Sequence, residues 1–83
     1  MQKTLYSNIK RDSFYGDESE FFTLHFDESK GFYVVREWEK DYVSGGNVKT
    51  REDESEMSIQ AFLKSGPPKG VERLREMIDK MFS

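Results

Sequence analysis

At 83 residues the chain has the length of a single small domain spanning 1–83, one that buries about 60–65% of the surface its unfolded form exposes. It has no cysteine, which excludes disulfides and Cys-based metal staples; its N-terminal residues lack the apolar run of a signal peptide and no stretch approaches the roughly 20 apolar residues of a membrane span, so no membrane is expected and the expected location is cytoplasmic. The net charge of −3 is uneven: residues 1–16 and 57–83 each sum to +2, while residues 17–56 carry twelve acids against five bases, which counts against a nucleic-acid surface in the middle of the chain.

In chain order, Leu5, Tyr6 and Ile9 give residues 1–16 some apolar content without a clean period. This segment reads as an N-terminal arm or edge strand. Phe14-Tyr15-Gly16-Asp17 reads as a turn.

Residues 20–43 form an aromatic hairpin. Phe22, Leu24 and Phe26 alternate with Phe21, Thr23 and His25, and after the turn Asp27–Gly31 the alternation resumes. Phe32, Val34, Arg36 and Trp38 then lie on one side, with Tyr33, Val35, Glu37 and Glu39 on the other. Aromatic and β-branched enrichment makes both runs strands. An odd loop of three or five residues puts Phe22, Leu24 and Phe26 on the same face as Phe32, Val34 and Trp38. An even loop mixes the faces. The odd loop is chosen because it yields one apolar face and uses Gly31 at its end.

Ser44-Gly45-Gly46-Asn47 is a second turn, after which Val48–Arg51 pairs back as a weak third strand. Residues 52–56 read as an acidic, solvated link. Met57, Ile59, Ala61 and Leu63 alternate with polar residues in a period of two broken by Phe62, so residues 56–64 are expected to be a strand. A helix is the alternative there, since Lys64-Ser65-Gly66-Pro67 resembles a helix end. Residues 68–82 are expected to be an amphipathic helix, with Val71, Leu74, Ile78 and Met81 in its stripe and Met77 and Phe82 widening it.

The expected fold class is therefore α+β: an antiparallel sheet of three to four strands with a C-terminal amphipathic helix packed on one face. The expected core is Phe22, Leu24, Phe26, Phe32, Val34, Trp38, Ile59, Leu63, Leu74 and Ile78.

Tyr33-Val34-Val35-Arg36-Glu37-Trp38, followed by Gly45, Gly46 and Val48-Lys49-Thr50, is similar in rhythm to WGR domains, small modules associated with nucleic-acid-responsive proteins. The similarity covers about half the chain. Glu39-Lys40 stands where the family has Gly-Arg after the Trp, and Tyr42 replaces the next glycine. The residues on which binding would rest are therefore missing, and no function is carried over. The resemblance does imply a helix over 54–64.

His25 is the one histidine, and no spacing supplies it with an orienting carboxylate or a nucleophile, so an enzyme is not expected. The acidic clusters lack the alternating ligands and turn glycine of a calcium loop. No metal or cofactor is expected. Pro67-Pro68-Lys69-Gly70 lacks the pattern of a phosphate loop and reads as a helix start.

The second aromatic face then carries the functional question. It presents Phe21, His25, Tyr33 and Val35, with Glu37 and Glu39 beyond. The N-terminal segment could cover it through Tyr6, Ile9, Phe14 or Tyr15. Left uncovered, it suits a protein partner or self-association, and a non-enzymatic protein-interaction module, a small regulator or inhibitor, is the expected function. The alternative is single-stranded nucleic-acid binding, with Phe21 and Tyr33 stacking on bases and Lys10, Arg11, Lys69 and Arg73 reaching phosphates.

Overall fold

The computed structural model describes residues 2–12, 14 and 16–82, without the side chains of Ser44, Met81 and Phe82. Four antiparallel strands, β1 (Gln2–Lys10), β2 (Glu18–Asp27), β3 (Gly31–Ser44) and β4 (Asn47–Ser58), lie in the order β1-β2-β3-β4. Two helices follow, α1 (Ile59–Ser65) and α2 (Pro68–Phe82). The α+β class with a C-terminal helical layer is as the periodicities require.

The β2–β3 turn sets the register. Asp27 pairs with Gly31 across a three-residue loop, and Gly31 has a φ of +79°. The Asp27 carboxyl is held below its ordinary value because the Ser29 hydroxyl and then the Ser29 N–H donate to its Oδ1, at 2.6 and 2.7 Å. This odd loop pairs Phe22 with Arg36, Leu24 with Val34 and Phe26 with Phe32, so those residues share one face. The β3–β4 turn has two residues, Gly45 and Gly46, both with positive φ as a type I′ turn needs.

The helices cover this inner face. Its core is Leu5, Phe22, Leu24, Val34, Phe62 and Leu74, flanked by Tyr6, Phe32, Met57, Ile59, Leu63, Val71, Met77 and Ile78. Leu5 reaches the core through a bulge. The β1–β2 register shifts between Thr4 and Tyr6, so Leu5 and Tyr6, neighbours in sequence, both contribute to the same cluster.

Residues 59–64, expected to continue a strand, are helical. Ser58 caps α1, its Oγ accepting from the Ala61 N–H at 3.1 Å. The apolar positions facing the sheet are Ile59, Phe62 and Leu63, which is helical spacing. Phe62, the residue that breaks the alternation, is 0% exposed and meets the Phe22 ring at 5.5 Å. The acidic residues 52–56 form the second half of β4 and pair with β3 from Arg36 to Glu39 and Val35. They are not a free link.

Two expected core residues lie outside the cluster. Phe26 is 46% exposed, its ring resting on Phe32 at 4.9 Å beside the turn. Trp38 is half-buried and apart from the core. Met81 and Phe82 side chains lie outside the described set.

The sheet is longer than the layer that covers it. Pairing of β2 with β3 ends at Lys40, while β3 and β4 remain paired to Ser44 and Asn47. A two-stranded arm results, and the molecule extends 54 × 26 × 21 Å. At the base of the arm the Asp41 N–H donates to the Asp17 carbonyl at 2.8 Å, and Gly16, with a φ of +98°, leaves the room that an added Cβ would take from the Asp41 carbonyl oxygen.

Phe62→Ala should cost roughly 3–5 kcal/mol and Leu74→Ala roughly 2–5 kcal/mol, whereas Phe26→Ala should cost clearly less. Urea denaturation of the three variants checks this ordering. Equal losses at Phe26 and Phe62 would contradict the helical placement of α1.

Candidate interaction surface

The outer face is the side of the sheet without helices. By register it carries Gln2, Thr4, Ser7 and Ile9 from β1 and Ser19, Phe21, Thr23 and His25 from β2. It also carries Tyr33, Val35, Glu37, Glu39 and Asp41 from β3 and Thr50, Glu52, Glu54, Glu56 and Ser58 from β4. The expected interface residues Phe21, His25, Tyr33, Val35, Glu37 and Glu39 therefore share one surface.

Among the described residues, the N-terminal segment does not cover that surface. β1 lies beside β2 as the sheet's edge. Tyr6 turns to the inner face, its ring 6.3 Å from Phe22. Ile9 is exposed at the outer edge and Phe14 is 83% exposed. Tyr15 lies outside the described residues.

The apolar end of this face is tightly organised. The His25 ring stacks on Tyr33 at 5.4 Å and 19°. Lys30 sits 5.4 Å over the other partner of the stack, Tyr33, and reaches Glu56 at 3.4 Å. His25 Nε2 is buried without a hydrogen-bond partner among the described residues. Val35 is 4% exposed, with Thr23 and Glu56 opposite it. It is the floor of the surface and offers a partner little direct contact.

The other end is acidic. Glu37 stands directly opposite Glu54, and Glu39 opposite Glu52. Opposed side chains on neighbouring strands have Cβ atoms about 4.5–5.5 Å apart, so each pair is mutually repulsive. None of these four carboxylates has an ion pair among the described residues. With Phe21 and Ser19 they line a shallow concavity of about 450 Å³.

The inner face has the opposite character. Every Lys and Arg of the four strands lies there by register: Lys3, Lys10, Arg36, Lys40, Lys49 and Arg51. Arg36 is tied down, with Nη2 and Nε at 2.7 and 2.8 Å from Glu20 Oε2 and Nη1 3.7 Å from Asp53. Lys40 approaches Glu18 at 3.7 Å. Lys40 and Arg51 also flank the exposed Tyr42 ring at 5.1 and 5.6 Å.

The alternative nucleic-acid residues are not assembled around Phe21 and Tyr33. Lys10 lies on the inner face, Arg11 is exposed in the β1–β2 connection, and Lys69 and Arg73 are on α2 beside β1. Besides Lys30 over Tyr33, the cations near a ring among the described residues are Lys40 and Arg51 over Tyr42, with Lys49 opposite it, and the acidic sum for residues 17–56 hid them. Their signal is the alternation of Glu39 and Asp41 with Lys40, and of Thr50 and Glu52 with Lys49 and Arg51, which the pleat places on opposite faces.

Among the described residues no three His, Cys, Asp or Glu side chains are grouped to hold a metal ion, and no helix is long and apolar enough to cross a membrane. Comparison with protein families, curated proteins and solved structures finds no match to this chain. The rhythm shared with WGR domains is accordingly taken no further.

Glu52→Lys turns one repulsive pair into an attractive one and should raise stability by roughly 0.2–1 kcal/mol. Urea unfolding followed by Trp38 fluorescence measures this. A destabilised variant would show that the glutamates are not in mutual conflict.

Proposed function

We propose that the chain is a non-enzymatic protein-interaction module, a small regulator or inhibitor that engages a basic partner through its outer sheet face. The observation that carries this reading is a bare face on which Phe21, His25 and Tyr33 adjoin two directly opposed glutamate pairs. Opposed like charges weaken a sheet. Lys or Arg side chains of a partner would relieve the repulsion, while the rings supply apolar contact at the centre. His25 supports no competing catalytic reading, since its ring packs on Tyr33 and its Nε2 is buried. The lack of cysteine suits a reducing compartment, and the cytoplasm is the proposed location.

Affinity capture with the wild type should recover a partner whose retention falls as salt rises. Tyr33→Ala should weaken that complex by at least about tenfold, and Glu39→Lys should mainly slow its association. If Tyr33→Ala leaves both partner capture and self-association unchanged, the outer face is not the interface.

A second reading has an observation of its own. The inner face of β3 and β4, from Trp38 out to Tyr42 at the start of the arm, combines these two rings with Lys40, Lys49 and Arg51, which is the composition of a stacking platform for single-stranded nucleic acid. It predicts that oligo-dT binds at about 50 mM salt and releases steeply as salt rises. Tyr42→Ala and Arg51→Glu should weaken this binding, with Tyr33→Ala neutral. Fluorescence anisotropy that stays flat at low salt removes this reading.

A further inference from the structure

The two edges of the sheet are not alike. β4 carries Lys49, Arg51, Glu52, Asp53, Glu54 and Glu56 along its length, the charge pattern that blunts an edge against added strands. β1 has no acidic residue and no proline. Its bulge is confined to Thr4–Tyr6, and from Tyr6 to Lys10 its pairing with β2 is regular.

A groove of about 420 Å³ runs beside β1, lined by Thr4, Leu5, Tyr6, Ser7 and Asn8 together with Lys69 and Arg73. Successive residues of a strand point to opposite faces. A hollow lined by five in a row therefore follows the strand's edge, where backbone N–H and C=O groups lack a strand partner among the described residues. The far wall is the start of α2. Gly70 lets that helix come close, since a Cβ there would lie 3.0 Å from Tyr6 Cβ. Lys69 and Arg73 are one helical turn apart and exposed. Neither has an ion pair among the described residues.

We infer that this groove accepts an extended acidic segment of another protein as a fifth strand along β1. The backbone of the segment completes the hydrogen bonding of Tyr6–Lys10, and alternate acidic side chains meet Lys69 and Arg73. Lys3 and Lys10, on the helix side at the two ends of β1, extend the same positive strip. The occupant is thus opposite in charge to the basic partner proposed for the outer face, and the two surfaces act independently.

The test uses an acetylated, amidated octapeptide of alternating Glu and Val, a Lys-Val counterpart, and a Glu-Val peptide N-methylated on the backbone edge that would pair. In the full chain, the Glu-Val peptide should slow exchange of β1 edge amides within 6–10. Lys69→Ala with Arg73→Ala should weaken it at least about tenfold with an unchanged melting temperature. The Lys-Val and N-methylated peptides should not bind, and Tyr33→Ala should leave Glu-Val binding intact. The inference is overturned if no β1 amide responds at about 1 mM Glu-Val peptide, or if the double variant or N-methylation has no effect. Loss of binding in Tyr33→Ala alone would overturn it too, by placing the peptide on the outer face.

Discussion

Everything in this molecule follows from the parity of one turn. Asp27 pairs with Gly31 across three residues, and side chains on a strand alternate with a period of two. One residue more or less in that turn would carry Tyr33, Val35 and Glu37 toward the helices and leave Val34 in water. The Asp27 carboxylate, accepting twice from Ser29, shapes this turn. From it follow the apolar floor for the helices and the acidic row on the bare side. The cationic row on the covered side has the same origin.

Within that frame the helical layer is held by few side chains. Phe62, Leu74 and Val34 are the largest fully buried ones, contributed by α1, α2 and β3. Phe62 meets Phe22 at a tilt of 49° from a helix of seven residues, too short to be stable alone. α1 exists because its central ring has a place to go. Its short span also turns the chain so that α2 can run beside β1. Farther along the inner face the packing changes from apolar to ionic, where Arg36 joins β3 to Glu20 of β2 and approaches Asp53 of β4.

What was legible in the sequence was whatever a local period could fix. Alternation through residues 20–39 gave the hairpin, its register and the burial of Phe22, Leu24 and Val34. The 3–4 spacing of Val71, Leu74 and Ile78 gave α2. Residues 57–64 satisfy two periods at once, because Ile59 and Leu63 fit both a strand face and a helix stripe. The choice falls to Phe62, whose ring meets Phe22, 40 positions away, in a cluster with Leu5, Val34 and Leu74. Leu5 was out of reach because a bulge breaks the alternation that would have exposed it. The start of β4, Val48–Arg51, was legible as a strand, but its continuation through residues 52–56 was hidden by acids that disfavour a strand locally and are held in one by pairing with β3. The residues of the outer face were legible as a set. The sorting of charge was not, because a net sum over a segment erases the sign alternation that the pleat turns into two surfaces.

The β3–β4 arm beyond Lys40 has one further consequence. A two-stranded ribbon with solvent on both sides has few apolar contacts, and isolated hairpins are marginal in water. The arm is therefore expected to open locally at a lower free-energy cost than the core. A partner gripping either of its faces must first bear the entropy of ordering it. That lowers affinity and couples the two faces: whichever is occupied first leaves less disorder for the other to remove. Opposite surfaces with no shared side chain can in this way favour each other's ligands.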